Sequence, residues 1–269
     1  MRQSWKRRAS ALIGAWLLAG VSHGEPGDDP VPDRVGYAYA PDSEAFLYRE
    51  DHFETVKEGR LTTERVVYRT GDGKQLAEKY LNYTGTPYAP RFELRMTVNA
   101  YREGLRQGEE GIQVFYRPVG DGQTQSESLG RPDNLVADAG FDRLVADRLE
   151  ALQAGRAPTF DFLVPGRLTA YPFRVRKVAT TRVLDQPALH LRLEPARFWL
   201  RWLAEPVEVY YHPDSARLLR YVGPSNLRTP EGDNPRVRVD FPTDAPTGKQ
   251  PTPQTLATHP FLADPSNKD

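Results

Sequence analysis

Residues 91–100 read Arg-Phe-Glu-Leu-Arg-Met-Thr-Val-Asn-Ala, and this stretch decides the fold class. Phe92, Leu94, Met96, Val98 and Ala100 fall on one face of an extended chain; Glu93, Arg95, Thr97 and Asn99 fall on the other. Strict alternation of this kind belongs to a strand with one buried and one wet face, the antiparallel case. The same period recurs outward along the chain. Leu189, Leu191 and Leu193 alternate with His190, Arg192 and Glu194, and Val237, Val239 and Phe241 with Arg236, Arg238 and Asp240. Phe173 and Val175 alternate with Arg174 and Arg176. Further strands are expected near 45–56, 61–70, 75–83, 112–119, 159–164, 207–212 and 217–223.

The links between these segments are hairpin turns. Gly71-Asp72-Gly73-Lys74 and Gly120-Asp121-Gly122-Gln123 carry Asp-Gly pairs, Pro213-Asp214-Ser215-Ala216 offers a proline with preset φ, and Lys57-Glu58-Gly59-Arg60 is a fourth turn. Closely spaced hairpins predict a meander. One segment breaks the pattern. From Asp138 to Ala154 the apolar residues Phe141, Leu144, Val145, Leu149 and Leu152 recur at helical spacing, with Asp142, Arg143, Asp147, Arg148 and Glu150 opposite. Asp138 is the expected N-cap and Gly155 the expected residue beyond the C-terminus. A second short helix or turn is expected through 197–203, ended by Pro206. The predicted architecture is mainly β: one curved antiparallel sheet or incomplete barrel, with an amphipathic helix on its apolar face. A single domain is the first choice; the alternative is two half-sheets at 35–130 and 158–241.

The N-terminus reads as a secretory signal. Lys6, Arg7 and Arg8 precede the apolar run Ala9–Val21, and Ser22-His23-Gly24 offers small residues for cleavage before Glu25. The run of thirteen residues is short for a membrane span, which needs about 20. Removal of 1–24 takes four bases and no acid, leaving 32 bases against 36 acids and a net charge of −4. That balance helps solubility and gives no hint of nucleic-acid binding, so no nucleic-acid partner is expected. The chain has no Cys, which excludes disulfides, thiolate metal sites, cysteine nucleophiles and an acylated lipoprotein anchor. A soluble periplasmic protein is expected. Residues 25–34 hold three prolines and four acids, and 242–269 hold six prolines and few large apolar groups. Both are expected to be unstructured, leaving 35–241 as the folded part.

No Gly-x-Ser-x-Gly elbow, His-Glu-x-x-His, Walker loop or Gly-x-Gly-x-x-Gly is present. His52, His190 and His212 stand near acids in strand-like segments, but no pair has ligand spacing, so no metal and no cofactor is expected. Arg95, Arg174, Arg176, Arg192, Arg236 and Arg238 line polar strand faces; they form either an anion-binding surface or cross-strand pairs with Glu93, Glu194, Glu208 and Asp240. Phe198-Trp199-Leu200-Arg201-Trp202-Leu203 is either a flap over an apolar cavity or a plug at the open end of the sheet.

Phe160-x-Phe162-x-x-Pro165-x-Arg167 follows the helix, and Pro206-x-x-Val209-x-Tyr211 leads into Arg217-Leu218-Leu219-Arg220-Tyr221-x-Gly223-x-Ser225-Asn226. In this layout, across about 44–241, the chain resembles uncharacterised families of exported bacterial β-rich proteins, domains of unknown function. More distantly it is similar to the periplasmic lipoprotein carriers of the LolA/LolB type. That resemblance implies a curved sheet and covering helices around an apolar cavity for acyl chains. The first reading is therefore non-enzymatic binding of an acyl chain, lipid or other apolar molecule, with Phe141, Leu144, Val145, Phe198, Trp199 and Trp202 lining or gating the cavity. Two other classes stand beside it. One is a structural adaptor with a filled core, meeting an envelope protein partner through edge strands or the Arg-rich face. The other is an envelope hydrolase using His52, His190 or His212 with a nearby carboxylate.

Overall fold

The computed structural model describes residues 30–108, 111–130, 133–197, 205–244 and 259–262. The first half contributes β1 (Arg34–Tyr39), β2 (Phe46–Lys57), β3 (Arg60–Arg69), β4 (Gln75–Asn82), β5 (Arg91–Met96), β6 (Arg102–Gln107), β7 (Ile112–Arg117) and β8 (Gln125–Ser128). Then come β9 (Leu135–Val136), the helices α1 (Gly140–Asp147) and α2 (Leu149–Gln153), and β10 (Thr159–Val164). A 3₁₀ turn (Pro165–Arg167) leads to β11 (Thr169–Val183), β12 (Gln186–Pro195), β13 (Val207–Tyr211), β14 (Leu218–Pro224) and β15 (Arg236–Asp240).

All fifteen strands form one sheet, ordered β8-β7-β6-β5-β4-β3-β2-β1-β15-β14-β13-β12-β11-β10-β9. The meander expected from the hairpins is present. Its first and last strands also pair, with Tyr37 opposite Asp240 and Ala38 opposite Val239, so the two halves of the chain form one sheet with a shared core. The pairing of β9 with β10 is parallel; the rest is antiparallel. The β2–β3 turn shows why the sequence folds this way locally: Glu58 and Gly59 both have positive φ, 51° and 73°, the geometry whose twist matches a two-residue hairpin.

The sheet curls so that distant strands face one another. The 3₁₀ turn packs against β6 and β7. Asn99 Nδ2, between β5 and β6, donates to Arg228 O in the β14–β15 loop at 3.0 Å. Val66, Ala77, Leu81, Leu94, Leu105, Leu189, Leu191, Val209, Val237 and Val239 are all buried in one core. Each such side chain contributes roughly 1.5–3 kcal/mol of transfer free energy. One end of the curl is covered by the β14–β15 loop, where Leu227 is fully buried; the other by α1 and α2, through Phe141, Leu144, Val145 and Leu152.

Several expectations need correction. The strand at 91–100 stops at Met96, because Ala100 takes a positive φ of 61° to turn the chain into β6. The helix is broken at Arg148 into two pieces. Asp138 is not its N-cap: that position is Ala139, and Asp138 instead points at Lys79. Gly155 does follow the C-terminus, at φ 79°, with Arg156 N donating to Ala151 O and Gly155 N to Leu152 O. Order begins before residue 35. Asp33 N donates to His52 O, Asp33 Oδ2 accepts from Glu54 N, and Arg34 opens β1. The C-terminal stretch is not without structure either, since His259–Leu262 packs into the core, with Phe261 1% exposed. The Phe261 ring, the Leu262 side chain and the His259 bond to Leu47 O together hold this short segment, which composition averaged over 242–269 conceals.

Candidate functional site in the curled sheet

The inward faces of β1, β2 and β3 carry charge beside the apolar core. The alternation that puts Tyr48 inward on β2 also puts Glu50 and His52 there, and Val66 and Tyr68 on β3 bring Glu64 with them. Glu50, His52 and Glu64 are 6%, 6% and 4% exposed. His52 Nδ1 lies 2.6 Å from Glu64 Oε1, and Nε2 lies 3.3 Å from Glu50 Oε2. Arg34 Nη2 donates to Glu64 Oε1 at 3.1 Å, and the Tyr83 hydroxyl donates to Glu64 Oε2 at 2.9 Å. Phe241 roofs the cluster: its ring is edge-on to His52 at 5.8 Å and beneath the Arg34 guanidinium at 5.0 Å.

Protonation follows from these partners. Burial holds the Glu64 carboxyl up, but the bond from His52 and the charges of His52 and Arg34 outweigh it, leaving the group far below the usual carboxylate range. Burial and Arg34 both press the His52 pKa down, yet the two carboxylate bonds raise it above its ordinary value. The ring therefore favours the form in which both nitrogens donate. Burial raises Asp142 on α1, which accepts from the Tyr211 hydroxyl at 2.5 Å.

A second buried pair ties the helix to the opposite arc. Lys79 Nζ on β4 lies 2.7 Å from Asp138 Oδ1, with side chains 6% and 10% exposed. Asp138 thus reaches β4 while Asp142 reaches β13, so α1 bridges the two arcs.

At the far ends of β2, β4 and β5 the sheet opens to solvent. On the outer face there, a shallow groove of about 630 Å³ runs between two cross-strand rows, Phe53-Arg65-Tyr80-Glu93 and Thr55-Thr63-Asn82-Arg91, while the intervening Glu54, Glu64, Leu81, Phe92 and Leu105 belong to the strand phase that faces the core. Burial raises the Glu54 carboxyl, which stands 3.9 Å from Arg34 Nε.

The residues singled out from sequence are placed as follows. Phe141, Leu144 and Val145 are buried in the core, Phe141 beside Phe160 and Phe162, and none of the three lines the groove. Phe198, Trp199 and Trp202 lie outside the described residues, as does the stretch 1–24 expected to be a signal. The three histidines do not converge. His52 faces inward, His190 pairs with Glu208 at 2.6 Å on the outer face and stacks on Tyr210, and His212 sits in the β13–β14 turn. Among the described residues no group of three His, Asp or Glu side chains could hold a metal. The outer Arg residues are engaged by acids: Arg174 and Arg176 with Glu194, Arg192 with Glu208, Arg220 and Arg238 with Asp240. The polar cluster itself was missed. Its signal is a polar residue on the otherwise apolar phase of a strand, as at Glu50 and His52 after Tyr48 and at Glu64 before Val66 and Tyr68.

No protein-family model matches the chain, and no curated protein is significantly similar to it. Among solved structures it is similar to a β-barrel-like protein of a domain of unknown function, DUF1849, from Brucella abortus. That likeness has 9% identity, covers 79% of this chain and 96% of the other, and has a TM-score of 0.47. The protein is thus defined by its own coordinates as a β-rich protein built on one curved sheet.

Proposed function

We propose that the protein is an exported, non-enzymatic binding protein of the bacterial envelope that carries an apolar molecule, an acyl chain or lipid. The groove at the ends of β2, β4 and β5 supports this reading best. Its volume of about 630 Å³ is within the usual range for small-molecule sites, and Phe53 and Tyr80 give it apolar surface. Arg65, Arg91 and Glu93 beside them would orient a ligand's polar head, as charged groups do in such sites. The signal-like segment 1–24 supports export, and the lack of Cys supports a soluble rather than lipid-anchored form. The reading also draws on the resemblance of the sequence layout to the LolA/LolB-type carriers. Native mass spectrometry of protein purified from the periplasm without detergent, with solvent extraction of bound material, tests it. A reproducible extra mass that extracts as lipid is expected; a clean apo mass together with no uptake of a fluorescent fatty acid sinks the reading.

A second reading is favoured by one observation, the extent to which the chain's own elements fill the curl. With Phe141, Leu144, Val145 and Phe261 packed inside, the protein would act as an adaptor through an envelope protein partner. Recovery of one stoichiometric protein partner with lipid-free protein is its expected signature. The separation of the three histidines gives the hydrolase reading no support.

A further inference from the structure

The end of the curl opposite α1 holds a segment from far along the chain. Fourteen residues separate Asp244 from His259, after which His259-Pro260-Phe261-Leu262 returns to the sheet. The Phe261 ring is 1% exposed and meets Tyr48 edge-on at 5.5 Å. His259 Nε2 lies 2.7 Å from Leu47 O, and burial lowers the His259 pKa, which favours the neutral ring donating that proton. Leu262 packs against the same core.

The walls of this seat are linked to one another independently of the segment that fills it. Tyr48 OH is bonded to Ser225 Oγ at 3.1 Å, and Asn226 Nδ2 donates to Tyr68 OH at 3.2 Å. Asn234 Nδ2 donates to Ser225 O at 2.5 Å and Leu227 N to Ser225 Oγ at 3.0 Å, pinning the β14–β15 loop in place. Sheet and loop are thus joined through Tyr48, and against that ring the segment places one aromatic side chain and one hydrogen bond. An apolar group held beside an aromatic ring and oriented by one polar contact is also how a small ligand is bound.

We propose that this seat is a second binding position of the protein, taken by a single acyl chain bearing an N–H or O–H donor at one end, and that Phe261 occupies it as a tethered competitor. The proposal rests on the carrier reading and adds regulation to it. The chain enters where Phe261 lies, its donor takes over the Leu47 carbonyl, and the C-terminal segment leaves. Because tethering presents the segment at an effective concentration on the order of millimolar, an outside ligand binds weakly until the segment is displaced.

The test uses the full chain and dansylaminoundecanoic acid, an acyl chain with a sulfonamide N–H, followed by dansyl fluorescence. Phe261→Asp expels the ring and is expected to bind the probe at least ten-fold more tightly than the parent, with cooperative unfolding retained. His259→Ala, which removes the bond to Leu47 O together with the ring's contacts to Phe261, is expected to gain about three-fold. A peptide of residues 255–265 is expected to displace the probe from Phe261→Asp. The proposal is overturned if Phe261→Asp stays folded without gaining affinity, if the peptide does not compete, or if the variant loses its cooperative transition, which would make Phe261 an ordinary core residue. Equal binding by parent and variant overturns the tethered competitor while leaving the carrier reading intact. Binding by neither overturns both.

Discussion

His52 and Glu64 meet at 2.6 Å across the inward face of adjacent strands, His52 opposite Val66 and Glu64 opposite Glu54 in the β2–β3 register. The contact is diagonal, so two groups that repeat the apolar phase of their own strands become partners only through pairing. With Glu50 on the other ring nitrogen, the protonated ring is a second cation, beside Arg34, among the carboxylates of Glu50, Glu64 and Glu54. Loss of its proton leaves the set one cation short in a low-dielectric setting.

Stability should therefore depend on pH through His52. Its pKa is raised in the folded protein above the ordinary value of 6.5. Its contribution is fully present below that unfolded-state value and is lost as pH rises through the folded value. Urea midpoints measured from pH 5.5 to 9 should fall across that rise. In His52→Gln the fall should be absent above pH 6.5, at the cost of lower stability at pH 6. Parallel curves for the two proteins would refute the assignment.

How much of this was legible beforehand follows from what alternation reports. The strands at β2, β3, β4, β10, β13 and β14 fall close to where the sequence puts them, because turn residues bound each segment and apolar residues dominate its inward face. β6 escapes because Gly104 interrupts the pattern, and β8 because all four of its residues are exposed. The polar cluster escapes for another reason: a charged residue on the apolar phase reads locally as an error in the pattern. Only the register shows that Glu50, His52, Glu64 and Arg34 are errors that answer one another. The outer face was half legible. Its Arg and Glu residues are visible in sequence, but neighbouring strands decide between an anion site and the cross-strand pairs observed.

The Lys79–Asp138 pair holds the entry to α1 against β4. Removing one member leaves the other charge buried and alone, which costs about 3–5 kcal/mol. Asp138→Asn keeps a residue tolerant of the positive φ of 47° seen at that position, so its effect isolates the charge. Urea unfolding should show that loss for Asp138→Asn, and Lys79→Met added to it should recover most of it. No recovery in the double variant would mean that the cost lies in the backbone turn, not in the ion pair.

The outer-face pairs predict the opposite scale. Arg174 Nη2 lies 2.6 Å from Glu194 Oε1, with the arginine 36% exposed. Solvent screening limits such a pair to about 1 kcal/mol or less. Glu194→Gln should lower stability by that amount in dilute buffer, and the difference should narrow in 1 M salt, where the screening length falls to about 3 Å. A loss that salt leaves untouched would show packing of the arginine stem to be the larger contribution.

The roof over the charged cluster gives the sharpest packing test. Gly36 on β1 faces inward opposite Glu50, and a Cβ built there would stand 2.7 Å from Phe241 Cε1 and 3.0 Å from Val239 Cγ1. Both are side-chain atoms, so Gly36→Ala can be accommodated only by moving the Phe241 ring off His52 and Arg34. The expected cost is about 1–3 kcal/mol, typical of overpacking. Phe241→Leu should by itself destabilise, since it withdraws the ring from the cation above it and opens space beside His52. Combined, the two changes should cost less than the sum of their separate effects, because the leucine vacates the volume the new methyl needs. Calorimetric unfolding of the four proteins closes the cycle. Strict additivity would mean that Phe241 does not cover Gly36 in solution, and the proposed roof over the His52–Glu64 contact would fall with it.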